Sequence, residues 1–260
     1  MHPLINIAIS AARKAGDLIV RSSQRLDTLK ITEKSTNNFV TNVDQQAEKI
    51  IIDTLRKAYP SHGILAEESG HSLGDEFTWI IDPLDGTRNF MHGFPQFCVS
   101  IALQHKDKIE HAVIFDPTRQ EIFAASRGRG AYLNNTRIRV SKRMQLSTCL
   151  IGTGFPFRHT ENRVASYIKL LESLLPVCSD LRRQGSAALD LAYVAAGRLD
   201  GYFETDLKPW DIAAGALCVT EAGGLVGDFQ GDNTWLASGN IVVGNPKIFK
   251  ALLQQLNQVI

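Results

Sequence analysis

The stretch Trp79-Ile80-Ile81-Asp82-Pro83-Leu84-Asp85-Gly86-Thr87 runs an apolar, strand-like segment straight into two carboxylates three residues apart. Charge at the end of a buried strand is costly unless something positive compensates it. Pro83 keeps Asp82 from continuing a ladder or entering a helix, which predicts an immediate turn aiming both carboxylates and the Leu84 carbonyl at one point. Gly86 then leaves the backbone bare, and Asp85-Gly86-Thr87 before Asn89-Phe90 suits a helix start whose free N–H groups attract a phosphate. The stretch thus offers anionic oxygens to a hard cation beside neutral donors for an anion. Such ligands, without cysteine or histidine, favour magnesium over zinc, and none of the seven histidines shows HxxxH or HExxH spacing.

Two more pieces belong with it. Ile64-Leu65-Ala66-Glu67-Glu68-Ser69-Gly70 is a second short strand ending in acid, and Lys208-Pro209-Trp210-Asp211 sets an aspartate before the small-residue helix Ala213-Ala214-Gly215-Ala216, which could pack closely on a sheet. Taken alone, Asp211 reads as a helix N-cap and Glu67 as a surface acid. Beside the first motif both read as ligands.

Around these motifs the pattern alternates. Apolar residues at helical spacing, Ile5, Ala8, Ala12, Ala15 and Ile19, predict a first helix ending near Arg21 to Gln24 and a second from Val43 to Ala58, with the polar segment Glu33 to Asn38 between them as a mobile loop. Short apolar runs at Ile64 to Ala66, Trp79 to Ile81, Cys98 to Leu103, His111 to Phe115 and Ile122 to Ala125 predict strands, with turns at Asp116 to Arg119 and Leu133 to Thr136. Farther on, strands are expected at Leu150 to Thr153, Gly201 to Glu204, Leu225 to Asp228 and Ile241 to Val243. Helices are expected at Val164 to Leu175, Ser186 to Ala196, Asp211 to Ala222 and after Pro246, with Gly223-Gly224 as a C-terminal cap. This is an α/β pattern of mixed layers. No repeat or long linker divides the 260 residues, so 1–260 reads as one domain with halves at about 1–145 and 146–260.

Composition excludes several classes. Lys and Arg total 28 against 27 Asp and Glu, and a net charge of +1 makes no general field for nucleic acid or acidic membranes. Cys98, Cys149, Cys178 and Cys218 form no CxxC pair and read as buried thiols in a reducing compartment. Neither a secretory leader nor a membrane-length apolar run is present, so a cytoplasmic location is expected. There is no GxSxG elbow and no complete dinucleotide loop.

Trp79 through His92 resembles the first signature of the inositol monophosphatase family, and Trp210 through Gly224 resembles its second. The resemblance extends over nearly the whole chain, including Met1-His2-Pro3, Phe39 to Asp44, Gly152 to Phe157 and Arg183 to Asp190, and is strongest to the bacterial inositol-1-monophosphatase or extragenic-suppressor branch. It implies the α-β-α-β-α sandwich of metal-dependent sugar phosphatases and hydrolysis of a phosphate monoester, foremost myo-inositol 1-phosphate, with two to three Mg²⁺ per site and lithium sensitivity. Metal one would be held by Glu67, Asp82 and the Leu84 carbonyl, metal two by Asp82, Asp85 and Asp211, and a weaker third near Glu67. Gly86 and Thr87 would bind the phosphate, while Asp85, Gly185, Ser186, Ala187, Glu204 and Asp211 line the alcohol side. Asp44 and Thr87, or Glu67, would orient the attacking water for direct transfer with inversion, and Lys34 would lie on the mobile loop.

The resemblance also implies a homodimer and leaves rivals with the same metal chemistry: fructose-1,6-bisphosphatase, nucleotide 3′-phosphatases such as that for 3′-phosphoadenosine, and histidinol-phosphatase. Bacterial members are linked as well to ribosomal RNA transcription antitermination complexes. The basic clusters Arg127-Gly128-Arg129-Gly130, Arg137-Ile138-Arg139 and Arg182-Arg183 lack aromatic stacking platforms and read as solvated surface or dimer contacts. Arg88 stands where many relatives carry threonine, and a guanidinium there favours a substrate with a second anionic group.

Overall fold

In the computed structural model, which describes residues 2–35, 38–156 and 161–257, the strand Phe77–Asp85 sends successive side chains to opposite faces. Trp79 and Ile81 enter one core and Ile80 another. The strand lies inside an eight-stranded sheet. Its order is Thr136–Arg137, Gly130–Leu133, Glu121–Ser126, Lys108–Asp116, Cys98–His105, Phe77–Asp85, Gly63–Ala66 and Gly70–Ser72.

On the Trp79 face, helices Pro3–Ser23 and Asn42–Ala58 cover the sheet through Ala12, Ala15, Ile19, Ala47, Ile51 and Leu55. On the Ile80 face lie helices Ala187–Ala195 and Pro209–Glu221, apolar nearly all round because they are buried on both sides. Beyond them stands a five-stranded sheet in the order Asp180–Arg182, Leu150–Thr153, Gly201–Glu204, Ile241–Gly244 and Leu225–Gly227, with helices Glu161–Leu174 and Pro246–Leu256 outermost. The layers therefore run α-β-α-β-α, as expected. The central helices approach closely: a Cβ at Gly215 would sit 2.4 Å from Leu191 Cβ. The small-residue helix thus packs on its neighbouring helix as well as on a sheet.

Two local expectations are corrected. The chain does not turn at Pro83. Asp82 faces Ser100 and Asp85 faces Cys98, three steps on one strand against two on the other, so Pro83 and Leu84 form a bulge that tolerates the missing N–H. The turn comes at Gly86, whose φ is 95° and which leads into the short helix Thr87–Met91. Second, the segment read as a loop forms a two-stranded hairpin, Ile31–Ser35 against Asn38–Thr41, which pairs only with itself. Its tip at 36–37 and the Lys34 side chain lie outside the described residues.

The Gly223-Gly224 cap is as expected: Gly223 N–H donates to Thr220 O at 3.0 Å and Gly224 N–H to Val219 O at 2.9 Å, with φ of 92° at Gly223. Cys98, Cys149 and Cys218 are buried and Cys178 is half-buried, all as free thiols. Among the described residues no helix is long and apolar enough to cross a membrane.

Candidate active site

A cavity of about 170 Å³ opens at the ends of these strands, and its wall brings together Glu67, Asp82, Asp85 and Asp211. Each arrives on a different device: the turn after Gly63–Ala66, the two sides of the Pro83 bulge, and the first turn of Pro209–Glu221. Gly86, Thr87, Gly185, Ser186, Ala187, Glu204 and the Leu84 backbone share the same wall.

Asp82 is 1% exposed and accepts from the Leu84 N–H at 3.0 Å. Its carboxyl is pushed well above the usual range, first by burial and then by the negative charges of Glu67, Asp85 and Asp211. Asp211 is pushed well up by burial and by Asp85 and Glu67, against one N–H bond from Lys208 at 2.7 Å. That bond makes Asp211 the third residue of its helix, reaching back to the residue before it, rather than the cap itself. Asp85 is raised by burial, although Ser186 Oγ and the Ala188 N–H each donate to its Oδ2 at 2.7 Å and Arg183 lies near enough to oppose the shift. The Ser186 hydroxyl, expected to face substrate, is therefore engaged in anchoring Asp85 at the start of helix Ala187–Ala195.

Thr87 Oγ1 lies 2.8 Å from Asp44 Oδ1 and 3.0 Å from the Leu84 carbonyl. Asp44, 1% exposed, accepts at Oδ2 from Thr41 N–H (2.8 Å) and Thr41 Oγ1 (2.5 Å). Burial raises its pKa while these bonds and Thr87 hold it down. Asp44 and Thr87, named together from the sequence, are thus joined by a hydrogen bond. Glu204 ends the strand Gly201–Glu204, accepts from Tyr202 Oη, and nests against Gly154, where any Cβ would fall 1.8 Å from its carboxyl carbon.

Sequence reasoning missed several wall residues. Arg183, read as surface or dimer contact, lines the cavity with its guanidinium 5.6 Å from the Phe155 ring centre, whereas its neighbour Arg182 pairs outward with Asp180 at 2.5 Å. Phe39, also missed, stacks at 5.7 Å under Arg88, the guanidinium expected beside the site, and both line the cavity. Arg182 ends the strand Asp180–Arg182 and Arg183 is the first residue beyond it, so two adjacent basic residues divide between solvent and wall.

Among the described residues, no three His, Cys, Asp or Glu side chains converge tightly enough to form a ready-made metal cage. Asp85 and Asp211 are each anchored on a backbone N–H, of Ala188 and of Lys208. The donor set nevertheless fits a divalent cation: hard oxygens, largely out of water, with Asp82 and Asp211 raised by burial and by neighbouring negative charge and so costly to keep ionised without a positive partner.

A five-layer fold with an acid-walled cavity between the ends of its two sheets defines a class, and known proteins place the chain within it. The model of the inositol monophosphatase family matches residues 1–260. The chain is 54% identical over 258 residues to the Nus factor SuhB of Pseudomonas aeruginosa, covering 97% of this chain and 95% of that one. It superposes on the extragenic suppressor protein suhB of Bartonella henselae with a TM-score of 0.97 at 44% identity, covering 100% of both chains. It also matches the inositol monophosphatase of Anabaena (Nostoc) sp. PCC 7120 with a TM-score of 0.85 at 37% identity, over 98% of this chain and 95% of that one. The chain belongs to the inositol monophosphatase family.

Proposed function

We propose that the chain is a magnesium-dependent phosphomonoesterase acting foremost on myo-inositol 1-phosphate. The observation that carries this reading is the meeting of Glu67, Asp82, Asp85 and Asp211, drawn from three separate stretches of the chain, on one cavity wall beside Gly86 and Thr87. A phosphate monoester dianion repels nucleophiles, so its hydrolysis needs positioning and charge neutralisation more than covalent help. Bound Mg²⁺ supplies the neutralisation and lowers the pKa of a coordinated water.

The chain's own residues supply the rest. Glu67, Asp82, the Leu84 carbonyl, Asp85 and Asp211 would hold the cations. Gly86 and Thr87 N–H groups receive the phosphate. The Thr87 proton is engaged by Asp44, so Thr87 Oγ1 presents lone pairs to the attacking water and fixes its direction, with the developing charge passed toward Asp44. Glu204, held by Tyr202 Oη and Gly154, faces the hydroxyls of a polyol, and Arg88 and Arg183 bring positive charge to the cavity wall.

Replacing the most buried ligand tests the reading. Asp82→Asn keeps the side-chain oxygen that accepts from Leu84 but removes the central charge, and turnover should fall by a factor on the order of 10³ or more. Near-normal phosphate release by this variant, or by the wild type in excess chelator, sinks the proposal. A panel of inositol, sugar and nucleotide monoesters with Mg²⁺ then ranks the substrates.

A second reading, a factor that assembles with transcription machinery, is favoured by the relatives named Nus factor SuhB and by one surface stretch. Residues 127–143 carry six Lys or Arg, all exposed, and no Asp or Glu, with Arg127 paired to Glu110 and Arg143 to Asp200. Capture of a transcription complex by Asp82→Asn protein, which lacks turnover, would separate this role from catalysis; capture by neither form would remove it.

A further inference from the structure

Helix Asn42–Ala58 turns two carboxylates to the same side, Asp44 and Glu48, one turn apart and so about 6 Å along the axis. Both are buried, at 1% and 3% exposure. Asp44 grips the elbow after the Pro83 bulge through Thr87. Glu48 does the equivalent for the other ligand-bearing turn: its Oε2 accepts from Glu68 N–H and its Oε1 from Ser69 N–H, each at 2.8 Å. These two amides follow Glu67 directly, in the three-residue link between strands Gly63–Ala66 and Gly70–Ser72.

We propose that Glu48 is a positioning residue for the candidate metal centre, fixing the Glu67 carboxylate by clamping the backbone of its turn. One hydrogen bond would leave the turn free to rotate about it; two, from consecutive amides to the two oxygens of one carboxylate, do not. On its other side Glu67 N–H donates to Ile81 O at 3.2 Å, next to Asp82. Glu67 is therefore held between the strand that carries Asp82 and the helix that carries Glu48, and the spacing of the two ligands is set by packed elements rather than by a loose loop. Glu48 is absent from the wall of the catalytic cavity and borders a separate hollow of about 330 Å³ behind the turn. It acts through the turn, without touching substrate or cation.

The inference rests on the phosphatase reading, and one experiment tells the two apart. Mg²⁺ binding to the full chain is measured by titration calorimetry for wild type, Glu48→Gln and Ile51→Val, with melting temperatures alongside. Glutamine matches glutamate in shape but has one acceptor oxygen and turns an N–H₂ donor toward the other amide. Glu48→Gln should weaken Mg²⁺ affinity by about 10–100-fold, with kcat returning to within about 3-fold of wild type once Mg²⁺ saturates. Ile51→Val trims the same helix inside the core and should lower the melting temperature without moving the affinity. If the glutamine variant fails to fold, Glu48→Asp, too short to reach both amides, carries the same comparison.

Wild-type affinity in the Glu48 variant, or an equal loss in Ile51→Val, overturns the positioning role and leaves the phosphatase reading intact. A wild type that binds no Mg²⁺ overturns both.

Discussion

Gly86→Ala puts the elbow of the site under a load that can be worked from the structure. Gly86 has a φ of 95°, and a Cβ there would lie 2.8 Å from the Gln96 carbonyl oxygen and 3.2 Å from Phe97 Cα. The left-handed backbone costs a side-chain-bearing residue about 1–3 kcal/mol. Relieving the overlap with a fixed backbone oxygen requires a retreat of about 0.6 Å from 2.8 Å to an ordinary contact, adding about 1–3 kcal/mol as overpacking does. A total of about 4 kcal/mol lowers the melting temperature of a chain this size by roughly 8–16 °C. The retreat carries Asp85 and Thr87 with it, and where about 1 Å of misplacement costs about 10²-fold, this one should lower turnover by on the order of 10-fold. Thermal melts in chelator read the first effect and phosphate release at saturating Mg²⁺ the second. Unchanged melting would refute the steric reasoning. A large drop in melting with normal turnover would refute the claim that this elbow positions the chemistry.

The central helices supply a second test: Gly215→Ala drives a Cβ to 2.4 Å from Leu191 Cβ and should destabilise by about 1–3 kcal/mol, with part regained in the Gly215→Ala, Leu191→Ala double variant. Strictly additive losses in denaturant melts would contradict it. His111, stacked on His2 and bonded to Ser126 Oγ at 3.0 Å, is held down to about 4 from 6.5 by burial and by the charges of His2 and Arg129. Between those values the unfolded chain binds the proton and the folded one does not. Its contribution is therefore present above about pH 6.5 and lost as pH falls toward 4. Melts of wild type and His111→Gln should converge across that window, and parallel curves would remove the assignment. Arg88→Thr should lower the preference for a bisphosphate over inositol 1-phosphate by about 5- to 10-fold, the worth of roughly 1 kcal/mol from one part-exposed ion pair; an unchanged ratio of kcat/KM values leaves Arg88 without a role in selectivity.

Much of this molecule was legible before folding. Helical spacing marked Pro3–Ser23 and Asn42–Ala58, short apolar runs marked the central strands, and the paired aspartates around Pro83 marked the site, because burial of one face and interruption of a ladder leave local traces in residue order. The polar hairpin at Ile31–Thr41 left none, since it buries little and pairs only with itself. Nor could local order show that Pro83 would be absorbed in a bulge, a matter settled by the register with Cys98–His105. Ser186 meets Asp85 across 101 residues, Glu48 meets Ser69 across 21, and Arg183 faces the cavity while Arg182 does not. These contacts depend on which layers stack and which strand ends coincide. Each carboxylate was visible along the chain, but their meeting exists only in three dimensions, where the cost of gathering like charges is met by the packing of five layers around them.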